Sequence, residues 1–181
     1  MRRKMIAISV ILVLLLSGCK KIDDTNDYSG LFVDCLNNKK ITNDVALGYE
    51  YFLPKGVKLT KNYDYNQVFR VNSSYLYLFV DINSYYYGVS LNRVADGEYY
   101  FKNINYDGKN GYISIKQEEE LYYVEMFYNY AKMEFYSSKK DLNRLISFSA
   151  IIINSVSYNK NIIKNVLEEN LGSYSDVIYK I

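Results

Sequence analysis

Ala131-Lys132-Met133-Glu134-Phe135-Tyr136, followed at once by Ser138-Lys139-Lys140-Asp141 and an apolar series from Leu142 to Ile153, is the stretch that decides the fold. Its first half alternates strictly: Ala131, Met133 and Phe135 fall on one side, and Lys132, Glu134 and Tyr136 on the other. Successive side chains of a strand point to opposite faces, so this is a strand half buried and half exposed. After Ser138 the apolar period lengthens from two to about 3.6. Leu142, Leu145, Ile146, Ser149, Ile152 and Ile153 make one face of a helix, which Phe148 and Ile151 widen. Ser138 and Asp141 have the spacing of a capping box, the hydroxyl placed to accept an unpaired amide and the carboxylate to reach back. The expected fold class is α+β: an antiparallel β-sheet of several strands with a long helix of the C-terminal half packed on its aliphatic face.

Working outward, residues 122–127 pair with 131–136 through Tyr128-Asn129-Tyr130, and residues 98–105 with 112–116 through a turn that opens on Asp107-Gly108. Glu118-Glu119-Glu120 falls at the next reversal, where like charges are most easily solvated. Residues 75–82 read as a two-sided strand, with Leu76, Leu78, Val80 and Ile82 facing one way and Tyr75, Tyr77, Phe79 and Asp81 the other. It is joined to 68–71 through Asn72-Ser73-Ser74. Asn83-Ser84 is expected to turn the chain into another strand over 85–91. Leu47, Tyr49, Tyr51 and Leu53 share a strand face from Ala46 onward, which Leu53-Pro54-Lys55-Gly56 ends as a type I turn. Residues 31–36 are a short apolar segment, helix or strand. Val156 and Tyr158 suggest a brief extended piece, and Ile162, Ile163, Val166 and Leu167 a second amphipathic helix ending near Gly172.

The N-terminus carries a secretory pattern: Arg2, Arg3 and Lys4, then an uncharged apolar run from Met5 to Leu16, then Ser17-Gly18. That run is well short of the roughly 20 residues a spanning helix needs, and Lys20 and Lys21 follow it directly. Leu16-Ser17-Gly18-Cys19 resembles the bacterial lipoprotein lipobox at all four positions. The resemblance implies cleavage between Gly18 and Cys19, a diacylglyceryl thioether (palmitate-type chains) on Cys19, and a place on the extracytoplasmic face of the cell membrane. Two acyl chains are enough for stable anchoring where one is marginal. Residues 1–18 are then the signal peptide, 19–30 the lipidated cysteine and a polar, flexible tether, and 31–181 one α+β domain. The chain as a whole is similar to lipoproteins of low-GC Gram-positive bacteria, a resemblance that implies a location and no activity.

Losing residues 1–18 removes three basic side chains and no acid, leaving 19 basic against 20 acidic and a formal charge of −1 in place of +2. The apparent basicity belongs to the signal. No basic stripe remains to meet nucleic acid. With Cys19 acylated, Cys35 has no intramolecular disulfide partner, and its neighbours Val33 and Leu36 mark it as a small buried apolar residue.

Gly48-Tyr49-Glu50-Tyr51-Phe52-Leu53-Pro54-Lys55-Gly56-Val57 resembles the early strand-and-turn of the PsbP-like family, and Ile151-Ile152-Ile153-Asn154-Ser155-Val156-Ser157-Tyr158 the end of that family's last long helix. The family often has Trp where this chain has Val57. The resemblance implies an antiparallel sheet flanked by helices and a binding or assembly role, and it carries no catalytic residues.

The chain has no His, which excludes His-based triads, acid–base catalysis through imidazole and His metal sites. No phosphate-binding loop precedes a helix, and the 107–111 stretch lacks the spacing and closing Glu of a calcium loop. No cofactor and no metal ligand is expected. Two acids, Glu125 and Glu134, are placed to meet across the late hairpin. The 22 tyrosines are in part a codon bias, in part good strand formers. Tyr75, Tyr77 and Phe79 nonetheless share one strand face, and Tyr85 and Tyr87 are expected alongside, forming a candidate binding face. A Tyr ring supplies contact area and its hydroxyl a directed bond. The leading expectation is a lipid-anchored binding or assembly module contacting an envelope protein or cell-wall polymer. The alternatives are a carboxylate-dependent hydrolase acting on envelope glycans and a structural envelope lipoprotein.

Overall fold

A computed structural model describes the backbone of residues 27–178 and the side chains of residues 27–169. The signal peptide, Gly18, Cys19 and tether residues 20–26 lie outside the described residues. In chain order the elements are α1 (Tyr28–Leu36), β1 (Asp44–Ala46), β2 (Tyr49–Tyr51), β3 (Lys58–Tyr63), β4 (Asn66–Val71), β5 (Ser74–Val80), α2 (Ile82–Tyr87) and β6 (Tyr100–Tyr106). They continue with β7 (Lys109–Glu118), β8 (Leu121–Tyr128), β9 (Ala131–Ser138), α3 (Lys139–Ser155), β10 (Ser157–Tyr158) and α4 (Lys160–Ile178).

Seven strands form one antiparallel sheet in the order β3-β4-β5-β9-β8-β7-β6. A second, small sheet is β1-β2-β10. The inner face of the large sheet is aliphatic: Leu76 and Leu78 of β5, Met133 and Phe135 of β9, Val124 and Met126 of β8, and Ile113 and Ile115 of β7 are all buried. Helix α3 lies against β8 and β9, and α1 lies against α3. The buried face of α3 is Leu142, Leu145, Ile146, Ser149, Ile152 and Ile153, each side chain of the aliphatic set contributing roughly 1.5–3 kcal/mol through burial. The side chain of Asn154 donates to the carbonyl of Leu36 at 3.0 Å, which satisfies an end group of α1 and ties it to α3.

Several local expectations are overturned, each for a physical reason. The tether was expected to extend to Gly30, but α1 begins at Tyr28, because the Asp27 carboxylate accepts the Gly30 amide at 2.8 Å and caps the helix. Residues 31–36 are therefore helical, and Cys35 is buried in the core they form. The single strand from Ala46 to Leu53 is instead the hairpin β1–β2, broken at Gly48, whose φ of 84° suits glycine. Tyr49 and Tyr51 point inward while Leu47 is exposed. Strand β3 has only Leu59 to bury and so shows no alternation; it is an edge strand held by backbone pairing to β4. Ser138 precedes α3, but its hydroxyl donates to Asp141 at 3.3 Å rather than accepting an amide.

The strand expected over 85–91 is not there. Asp81 accepts the Ser84 amide at 2.9 Å and the Ser84 hydroxyl at 2.7 Å, starting α2, and Gly88 closes it in the left-handed conformation. Ile82 consequently packs from the helix, not from the strand end. Residues 88–99 then cross back as an irregular strap before β6 begins. Helix α4 continues past Gly172 to Ile178.

Candidate functional site

Alternation along the central strands sends one set of side chains away from the helices. On β5 these are Tyr75, Tyr77 and Phe79, each at least 36% exposed, and directly opposite them on β9 stand Glu134 and Lys132, paired with Tyr77 and Phe79 respectively. The next strands add Tyr123, Glu125 and Phe127 from β8, Tyr112 and Ser114 from β7 and Phe101 from β6. The outward face is therefore a field of aromatic rings with charges set among them. Phe101, Tyr112 and Phe127 stack in sequence across three strands, at 6.1 Å and 5.6 Å between centroids.

Two charged residues of the strap hold it onto this face: Arg93 reaches Glu125 of β8, and Glu98 accepts the Ser114 hydroxyl of β7 at 3.4 Å. The Arg93 guanidinium lies 5.2 Å from the centroid of the Tyr112 ring, pairs with Glu98 at 2.9 Å and pairs with Glu125. Glu125 also accepts the Tyr112 hydroxyl at 2.8 Å. Burial works against the charge on Arg93, yet Glu125, Tyr112 and Glu98 outweigh it and push its pKa above the ordinary value. Burial would raise the Glu98 carboxyl; the backbone amides of Asp96 and Glu98 itself, with Arg93 and Lys116, instead hold it below the usual carboxylate range. Burial, with Glu125 beside the hydroxyl, pushes the Tyr112 phenol well above its ordinary value.

Between the pinned strap and the sheet is a cleft of about 450 Å³, with Phe79, Phe127, Lys132 and Tyr112 below and Leu91, Asn92 and Arg93 from the strap above. Its rim includes Tyr130, whose φ of 65° is left-handed. That conformation costs an L residue roughly 1–2 kcal/mol, and glycine would hold the same turn without it. The turn thus keeps a strained residue whose ring lies on the cleft. At the other end of β5 and β9 a second hollow of about 400 Å³ is lined by Tyr75, Tyr77, Tyr136, Leu121 and the serines 73, 74, 137 and 138.

The sequence-predicted site residues separate into two groups. Tyr75 and Tyr77 meet in the second hollow, and Phe79 lines the cleft. Tyr85 and Tyr87 are not beside them. Because 82–87 is helical, Tyr85 stacks on Tyr158 at 3.9 Å and meets Tyr130 edge-on, as part of the packing of α2 against the chain's last elements, and Tyr87 is exposed on α2. Arg93, Glu98, Lys132, Tyr112, Phe127 and Tyr130 were not expected in the site. The outward positions of Lys132 and Phe127 could have been read from strand alternation; Arg93 could not, since it lies in a strap without periodicity.

Glu125 and Glu134 are direct cross-strand partners. Each faces a cation, Glu125 with Arg93 and Glu134 with Lys132 at 2.7 Å. The geometry is that of an ion-pair network laid over an aromatic floor. Among the described residues no three His, Cys, Asp or Glu side chains converge as a metal site, and no helix is long and apolar enough to cross a membrane. Compared with protein-family models and with curated proteins, the chain matches none.

Proposed function

We propose that this protein is a lipid-anchored binding or assembly module on the extracytoplasmic face of the cell membrane, held there through Cys19, and that it contacts an envelope protein or cell-wall polymer through the outward face of its large sheet. One observation carries this reading: the two faces of the same sheet are treated differently. Helices α1 and α3 cover the aliphatic face, while the other exposes Tyr75, Tyr77, Phe79 and Tyr136 around two hollows. Exposed aromatic surface loses favourable burial unless a partner covers it. An envelope protein that only fills space has no use for such hollows.

We read the finer arrangement as PsbP-like, with the long helix of the C-terminal half packed on one sheet face. What supports this is that the two segments resembling that family, from distant parts of the chain, are neighbours: β10 pairs with β2, and the Phe52 amide donates to the Ser155 hydroxyl at 2.8 Å.

Pulldown with mass spectrometry from crosslinked membranes tests the functional reading. The wild type should hold a specific partner that a Tyr75→Ser, Tyr77→Ser double variant loses, both proteins being folded and equally abundant. An identical partner set for the two proteins would reduce those tyrosines to framework residues.

A further inference from the structure

The two hollows repeat one chemistry on one face. Each offers ring surface with polar groups at its margin: Phe79 and Phe127 with Asn92 and Tyr130 in the cleft, and Tyr75, Tyr77 and Tyr136 with serine hydroxyls in the other. Tyr75 and Phe79 lie four residues apart on β5, about 14 Å along the strand. A site repeated along one strand fits a ligand that itself repeats.

Charge narrows the ligand class. A cationic ligand entering the cleft meets two cations already there, the Lys132 ammonium 5.0 Å from the Phe79 centroid and the Arg93 guanidinium over Tyr112. An anionic ligand finds each cation of the cleft engaged, Lys132 by Glu134 at 2.7 Å and Arg93 by Glu98 at 2.9 Å and by Glu125. In the second hollow Asp141 is likewise neutralised by Arg144 at 2.7 Å. An uncharged, ring-shaped, hydroxylated unit suits both places: its C–H face lies on the ring surface left exposed, that of Phe79 in the cleft and of Tyr75 and Tyr77 in the other hollow, and its hydroxyls meet the polar margin. Acyl chains would leave Asn92, Lys132 and the serine hydroxyls facing hydrocarbon.

We propose that the outward face of β5 and β9 is a track for an uncharged polysaccharide chain, with one sugar ring seated in each hollow; this rests on the binding-module reading and specifies its ligand. Two linked subsites make affinity rise steeply with chain length, because the second ring binds at the high effective concentration set by the first.

The test uses the full-length lipidated protein in a detergent without sugar headgroups, with chitobiose, chitohexaose and maltohexaose as probes. Titration calorimetry should give one hexasaccharide an affinity at least about tenfold above its disaccharide. Tyr77→Ala and Phe79→Ala, one in each hollow, should each weaken hexasaccharide binding about fivefold or more, while Tyr87→Ala on α2 should leave it unchanged. Circular dichroism checks the fold of each variant, and magnetisation transfer from the wild-type tyrosine rings to the sugar reads the same contact without any substitution. The proposal is overturned if neither hexasaccharide binds, if length makes no difference, or if the two face variants bind like wild type. A crosslinked protein partner that depends on Tyr75 and Tyr77, with no saccharide bound, would overturn the polysaccharide track and leave the binding module standing.

Discussion

Replacing Arg93 by Met should loosen the strap, both internally and against the sheet, while keeping its aliphatic cover. The guanidinium makes two charge-assisted pairs, one within the strap to Glu98 at 2.9 Å and one across to Glu125 of β8. Hydrogen bonds to charged groups contribute roughly 1.5–3 kcal/mol each. The Glu98 side chain has no exposed surface, so that pair counts nearly in full, whereas Arg93 remains 27% exposed and water replaces part of what the second pair supplies. Glu125 also keeps its bond from the Tyr112 hydroxyl. The net loss works out at about 2.5 kcal/mol, or roughly 5–10 °C in Tm for a domain of this size. Glu98 keeps the Asp96 amide and the Ser114 hydroxyl, so adding Glu98→Gln to Arg93→Met should change stability by no more than about 1 kcal/mol further. Urea unfolding at pH 7, followed by far-ultraviolet circular dichroism, measures both. The folded-state pKa of Glu98 is depressed below its ordinary 4.5, so the stability it contributes is present above that value and lost as pH falls through the lower folded value. The wild-type and Arg93→Met stability curves should therefore converge in acid. A loss under about 0.5 kcal/mol in Arg93→Met would refute the idea that Arg93 helps to hold the strap.

Three further perturbations probe other parts of the account. Gly111→Ala places a Cβ against the carbonyl oxygen of Phe127, and 3.1 Å from the Tyr128 ring, so β7 must shift from β8; we expect a loss of about 1–3 kcal/mol in urea unfolding. Asn154→Ala removes the donor to the Leu36 carbonyl at the junction of α1 and α3 and should cost about 1–2 kcal/mol, with faster hydrogen exchange in α1 than in β9. Burial, with Asp107 and Tyr106 nearby, pushes the Tyr128 phenol up to about 12 from an ordinary 10. A raised phenol pKa favours the folded state below the unfolded value, and that contribution is lost as pH rises from 10 to 12. Absorbance at about 295 nm should therefore show exposed tyrosines titrating first, and the buried class, Tyr128 with Tyr49, Tyr112 and Tyr158, only together with unfolding.

The antiparallel α+β architecture was legible where one face of an element is buried. Over residues 75–80 of β5 and 131–136 of β9 each inward residue is apolar and each outward one aromatic or charged, so period two marks both the strand and its orientation. This same alternation put Tyr75, Tyr77 and Phe79 on one face. Residues 82–87 were misread because Ile and Tyr are good strand formers, whereas the helix is decided by two flanking residues, the Asp81 cap and Gly88. That misreading carried Tyr85 and Tyr87 onto a face they do not share. Strand β3 left no signal because an exposed edge needs no alternation. The cleft itself was not legible: Arg93 and Glu125 are 32 residues apart and meet only once the strap has crossed the sheet.

The central claim is that function lies on the outward sheet face and not on the helical side. A photocrosslinking amino acid placed one position at a time at Tyr77, Phe79 and Tyr136, and at the exposed apolar positions Val45 and Ile162 away from that face, tests this in intact cells. A discrete crosslinked product, protein or glycan, is expected from the first three positions and none from the other two. Products from Val45 or Ile162 with none from Tyr77, Phe79 or Tyr136 would contradict it.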